Sequence, residues 1–154
     1  PARWARSSAD AAGLRDTAAR IRIVKGEWPE PGGCESDIEA AYLDLVARLA
    51  GRAAPVAIAT HKPELAHEAL SLLRDAGTPC ELEQVRGLPR RRTMAVARGL
   101  AVPVRIYVPF GPGWWTYALS SALARPYLPA WYAKDMMYRP AVGRPKPIPT
   151  ISNG

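Results

Sequence analysis

Cysteine is scarce in these 154 residues: Cys34 and Cys80 are the only two. Two cysteines build neither a disulfide framework nor a zinc site, and the plain reading is a pair of reduced thiols. No apolar run approaches the roughly 18 residues of a membrane span, and no signal-peptide pattern opens the sequence. Neither GxGxxG nor GxxxxGK[ST] occurs, so a Rossmann fingerprint and a P-loop are both excluded. His61 and His67 lie six apart and make no HExxH. No GxSxG elbow is present either, so zinc and serine hydrolysis lose their usual signatures. Acid is nearly missing from one half. Residues 1–85 hold 10 Lys/Arg against 13 Asp/Glu, whereas residues 86–154 hold 11 against Asp135 alone.

What is there is an ordinary globular composition, 48% apolar and 23% charged, of a length usual for one domain. The net charge of +7 sits in the second half. That asymmetry suits an anionic partner, either nucleic acid or a phosphate-bearing cofactor, or simply a solvated basic surface. Six of 16 prolines follow Arg125, so residues 126–154 read as an irregular Pro-rich tail.

Four strand–helix units run in series. Strands are expected at 20–24, 56–60, 80–85 and 104–108. Helices are expected at 37–50, from Pro63 to before Gly77, at 89–100 and at 115–125. Ile38, Ala41, Tyr42, Leu45 and Leu49 make one stripe, with Ser36 as N-cap and Glu39 as its capping-box partner. Such alternation implies parallel strands with crossover helices, in an open doubly wound sheet or part of a (βα)8 barrel. Strand faces favour the barrel. Arg20 and Arg22, Glu81 and Glu83, and Arg105 and Tyr107 alternate with aliphatic residues, giving one charged and one apolar face. A doubly wound sheet, covered on both sides, should be apolar on both. The plainer account of the charges is that Glu81 and Arg105 pair across adjacent strands. Four units are too few to close a barrel, which takes about 250 residues, and an open half leaves bare edges. The chain begins at Pro1, so the expectation is the C-terminal half of a longer protein, or else a chain that dimerises.

Sites in such folds sit at the C-terminal ends of the strands. Those ends carry Lys25-Gly26-Glu27-Trp28, Thr60-His61, Arg86-Gly87 and Tyr107-Val108-Pro109-Phe110-Gly111. Gly26 allows close backbone approach to a ligand. Cations with Trp28, Tyr107, Phe110, Trp114, Trp115 and Tyr117 nearby suit a large, planar, anionic ligand, although helical aromatics also pack as core. The expectation is that the charged strand faces line one cavity and converge on that ligand.

These strand ends resemble the proline dehydrogenase family. Arg22-Ile23-Val24-Lys25-Gly26-Glu27-Trp28 is similar to its RLVKGAY segment, and Ala59-Thr60-His61 to its ATH. Glu81-Leu82-Glu83 with Gly87 is similar to its EFQ…G strand. Arg105 to Gly111, then Trp114, Trp115 and Tyr117, resembles R-[VI]-Y-V-P-Y-G-x-x-W-Y-x-Y. The resemblance covers about residues 20–125, in the family's order. It implies a TIM-barrel-type (βα)8 fold of α/β class, of which strands 5–8 are present, with residues 1–125 as the C-terminal half-barrel. It implies an FAD-dependent oxidoreductase moving a hydride from a carbon beside nitrogen to flavin, L-proline giving 1-pyrroline-5-carboxylate in the family. By the same resemblance Arg22 stands near the reactive flavin nitrogen and, with Tyr107, is catalytic. Lys25, Gly26, Thr60, His61 and Glu83 bind the cofactor. Glu27, Trp28, Tyr107, Tyr117, Ser120 and Ser121 line the substrate.

The departures cluster. Where the family has an Arg-Arg clamp for the substrate carboxylate, this chain has Ser120-Ser121, and two hydroxyls do not replace a bidentate guanidinium. Glu27, Trp28, Glu83 and Ala124 also depart from the pattern. The substrate implied is a small-molecule amine or amino acid other than free proline, with an upstream half-barrel as partner. Alternatives are an inactive or truncated relative, or a nucleic-acid-binding module using Arg86, Arg90, Arg91, Arg92 and Arg98. The module lacks aromatics interleaved with its basic run, so nucleic acid is not expected. The expected location is the bacterial cytoplasm, with any peripheral membrane contact made through the electron acceptor.

Overall fold

The computed structural model describes residues 1–26, 37–108, 110–111 and 127–138. In chain order the elements are α1 (Ser7–Leu14), β1 (Ile21–Val24), α2 (Ile38–Leu49), β2 (Val56–Ala59), α3 (Pro63–Asp75), β3 (Cys80–Val85), α4 (Arg91–Gly99), β4 (Val104–Tyr107) and α5 (Leu128–Met137). The chain is α/β. Its four strands form one parallel sheet in the order β1-β2-β3-β4.

That order never reverses. Right-handed crossovers between successive neighbours then drop every helix on the same side. Accordingly α1, α2, α3 and α4 pack side by side in sequence. They cover the apolar face, where Ile23, Ile58 and Leu82 stand in register with Val104. Tyr42, Val46 and Leu49 from α2 and Leu65, Leu70 and Leu73 from α3 complete the core. Tyr42 is fully buried, and its hydroxyl donates to the Ile23 carbonyl at 3.1 Å, pinning α2 to β1.

Local chemistry sets the helix ends. Asp37 in extended conformation caps α2, accepting from the amides of Glu39 and Ala40. The expected cap one residue earlier, Ser36, lies outside the described residues. Asp37 wins because its carboxylate bonds those amides from the last non-helical position. Helix α3 opens on Pro63, whose fixed φ suits a first turn. Helix α4 begins at Arg91 rather than Pro89, because Arg90 holds φ −145°. Neither α1 nor α5 was given bounds from the sequence, and the second lies in the tail read as irregular. The expected helix at 115–125 falls outside the described residues. Buried Arg52 anchors the link into β1, donating to the carbonyls of Thr17 at 2.9 Å and Ala19 at 2.8 Å.

Among the described residues no helix is long and apolar enough to cross a membrane. No group of three or more His, Cys, Asp or Glu among them is arranged to hold a metal.

Candidate functional site

Two features lie on the sheet. The first is its charged face. Arg20, just before β1, and Arg22 of β1 reach across β2 to β3: Arg20 bonds Glu81 and Glu83, and Arg22 bonds Glu83. Adjacent strands are about 4.8 Å apart, so this spans two strand spacings. The crossing is open because β2 presents Ala57 and Ala59 there, in register with Arg22 and Glu83. Ala57 is fully buried. Arg105 of β4 returns to Glu81 at 3.2 Å, which is the pairing the alternation allowed. The Arg22 guanidinium also sits 4.9 Å from the centre of the Tyr107 ring, a cation–π distance. Three guanidiniums thus meet two carboxylates. The face keeps one positive charge, and its Glu83 carboxylate is buried.

The second feature is a cleft of about 600 Å³ at the C-terminal ends of β1 and β2, roofed by α5. Its walls include Lys25, Thr60, His61, Lys62, Arg92, Tyr127 and Trp131. Glu39 of α2 bonds both lysines, reaching Lys25 at 2.8 Å. Its carboxyl is held below the usual range, first by Lys25 and then by Lys62. Arg92 meets Glu64 at 3.3 Å. Three cations against two carboxylates leave the cleft mildly positive.

His61 is held on both sides by backbone. Its Nδ1 lies 2.9 Å from the Pro89 carbonyl, and its Nε2 accepts the Val85 amide at 3.2 Å. Those partners require the neutral tautomer with the proton on Nδ1. Burial, the largest influence, pushes its pKa below 6.5. The ring therefore ties the end of β2 to β3 and the β3–α4 loop, and it has no free nitrogen for proton transfer. Behind it, fully buried Gln84 donates to the Thr60 carbonyl and faces the Thr93 hydroxyl at 3.0 Å. The Thr60 hydroxyl accepts the Lys62 amide at 3.2 Å, closing the turn into α3.

A pH dependence follows. Below about pH 6.5 the unfolded chain protonates His61 while the folded chain resists, so stability falls as pH drops. Urea unfolding at pH 7.5 and 5.5 should show a loss approaching about 1 kcal/mol from this group. His61→Gln should flatten that slope; an unchanged slope would show the ring to be freely protonated in the folded protein.

Helix α5 roofs the cleft through one acid. The Asp135 carboxylate accepts from the backbone amides of Arg90 at 3.0 Å, Arg91 at 3.1 Å and Arg92 at 3.3 Å. It thus caps α4 from another helix, where Arg90 offers no side-chain cap. This seats Trp131 edge-on to His61, centroids 6.2 Å apart.

The sequence-expected residues divide as follows. Lys25, Thr60 and His61 line the cleft. Arg22, Glu83 and Tyr107 stand on the charged face and are not among the cleft walls. Gly26 has φ +92°, and a Cβ there would meet Pro1 Cβ at 3.0 Å and Arg3 Cβ at 3.2 Å. Its close approach is thus to the N-terminal segment, whose Ala2 and Arg3 amides bond the Val24 and Lys25 carbonyls, and not to the cleft. Glu27, Trp28, Tyr117, Ser120 and Ser121 lie outside the described residues, as do Cys34, Trp114 and Trp115. Phe110 is 91% exposed. Cys80 is free, and burial pushes its thiol upward, away from a thiolate role. Arg92 was considered only within the basic run, and Tyr127 and Trp131 only as tail residues that could cover the barrel mouth; Lys62 and Asp135 were missed. One signal could have found the last: it is the single acid of the basic half. Comparison with protein-family models, curated proteins and solved structures finds no match to this chain.

Proposed function

We propose that this chain is four βα units of a (βα)8 barrel related to the proline dehydrogenases, binding FAD and oxidising a small amine or amino acid. The observation that carries the reading is the unreversed strand order, with a charged inner face and a cationic cleft at the strand ends. A single-layer winding of this kind is what a barrel segment requires. An upstream half-barrel would supply the remaining strands.

The residues fit such a cofactor in part. Lys25, Lys62 and Arg92 supply positive charge for a diphosphate, and Trp131 and Tyr127 supply flat apolar walls. Bound flavin would accept a hydride from a carbon beside nitrogen, leaving an imine. The chain's own contribution is orientation. Glu83 and Tyr107 hold the Arg22 guanidinium in one place on the inner face. His61, already satisfied by backbone, stiffens the cleft wall. Substrate choice would rest on Glu27, Trp28, Tyr117, Ser120 and Ser121, with no arginine pair to take a carboxylate.

A second reading, a relative without activity, is favoured by the engagement of Arg22 with Glu83 and of His61 with backbone. One experiment separates the two. The protein, with any sequence that precedes Pro1 in its gene, is titrated with FAD, then with L-proline and other secondary amines without oxygen. Stoichiometric yellow binding, weakened about tenfold by Lys25→Gln with Lys62→Gln, and bleaching by an amine support the enzyme. Binding without bleaching selects the inactive relative. Folded protein that takes up no FAD overturns the enzyme.

A further inference from the structure

We propose that the outward face of α5 docks on an anionic membrane surface. This rests on α5 alone and does not depend on flavin binding. The helix has two apolar sides. Leu128, Trp131, Asp135 and Tyr138 turn toward the body and are buried or half-buried. Pro129, Tyr132, Ala133, Met136 and Met137 are exposed, at the i, i+3, i+4, i+7, i+8 spacing of a single stripe. At 100° per residue that stripe points away from the protein. Met136 is 66% exposed and Met137 75%, unusual for side chains with no polar atom to hydrate.

Among the described residues, the charges that border the stripe have one sign. Lys134 flanks it on the helix itself. From α4, the Arg91 guanidinium donates to the Met136 carbonyl at 2.9 Å, which sets a second cation at its border. Asp135 is the one acid between Arg86 and Gly154, and its carboxylate is buried against the α4 amides. Glu64, the acid in the first turn of α3, is already bonded to Arg92. An apolar stripe bordered by cations is the pattern of a helix lying in a lipid interface, with its apolar side at the acyl boundary and its cations on anionic headgroups. A second copy of this chain fits less well, because a two-fold contact would set Lys134 and Arg91 against their own copies.

The test is co-sedimentation of the intact protein with vesicles of phosphatidylcholine alone, and of phosphatidylcholine mixed equally with phosphatidylglycerol. Partition should be about tenfold stronger on the mixed vesicles and fall with added salt. Met136→Ser with Met137→Ser should reduce it by roughly tenfold, and Lys134→Gln by a few-fold. Circular dichroism and unfolding should stay unchanged, since these side chains are exposed. Equal partition on both vesicles, no partition, or an unaffected double variant would overturn the proposal. So would light scattering that shows a dimer which the double variant turns into a monomer.

Discussion

Asp135→Ala should destabilise the protein by about 2–3 kcal/mol, the largest loss expected from any side chain of α5. Three amide donors at the start of α4 would lose their acceptor together. Helix α4 has no acid in its first turn and no cap of its own, so nothing nearby substitutes, and the helix dipole there is left without a counter-charge. Helix α5 would lose its main polar tether, keeping the Arg91–Met136 bond and the aromatic contact of Trp131 with His61. Trp131 and Tyr127 would then leave the cleft. Urea unfolding measures the first effect. A red shift of tryptophan emission, with faster amide exchange in α5 than in α3, measures the second. Asp135→Asn keeps an acceptor oxygen and should cost about 1 kcal/mol, with α5 still docked. A stability within about 0.5 kcal/mol of the parent for Asp135→Ala, with slow exchange in α5, would mean that the helix is held by its apolar contacts instead.

The alternation of residue types carried most of the sheet. Ile21, Ile23, Ile58, Leu82 and Val104 form the covered face because each strand places them on one side at period two. The shift of α4 by two residues turns on the φ of Arg90, which no residue pattern announces. Helix α5 was hidden by prolines and by an apolar pattern that faces two ways, and its place is fixed by a contact 43 to 45 residues back in the chain. The same holds in the cleft. Glu39 looks like a capping-box residue from its spacing, yet its side chain leaves α2 to join Lys25 at the end of β1 and Lys62 in the next unit. His61 followed a strand directly, which made it a candidate ligand for the cofactor. The backbone of a third strand was what took its second nitrogen. Local pattern sets the elements; the partners of polar side chains at the strand ends come from the winding of the sheet.

The charged face offers the sharper test of that winding, through a residue with no charge. Ala57→Leu should destabilise by about 3 kcal/mol. Ala57 is fully buried, in register between Arg22 and Glu81. A leucine there stands in the passage through which Arg20 and Arg22 reach β3, so both ion pairs to Glu83 would open. The arginines are about two-fifths exposed, at 38% and 40%, and can rehydrate; the Glu83 side chain, 6% exposed, cannot. The cost therefore has two parts, overpacking and a stranded buried carboxylate. They separate in a double-mutant cycle. In the parent, Glu83→Gln removes the ion pairs and should lower stability by about 1 kcal/mol. In the Ala57→Leu background the carboxylate is already stranded, and the same change should raise stability. That reversal of sign requires the alanine to be the passage for the arginines. An equal cost of Glu83→Gln in both backgrounds would place the Arg22 guanidinium elsewhere, and with it the positioned cation on which the flavin reading of the inner face depends.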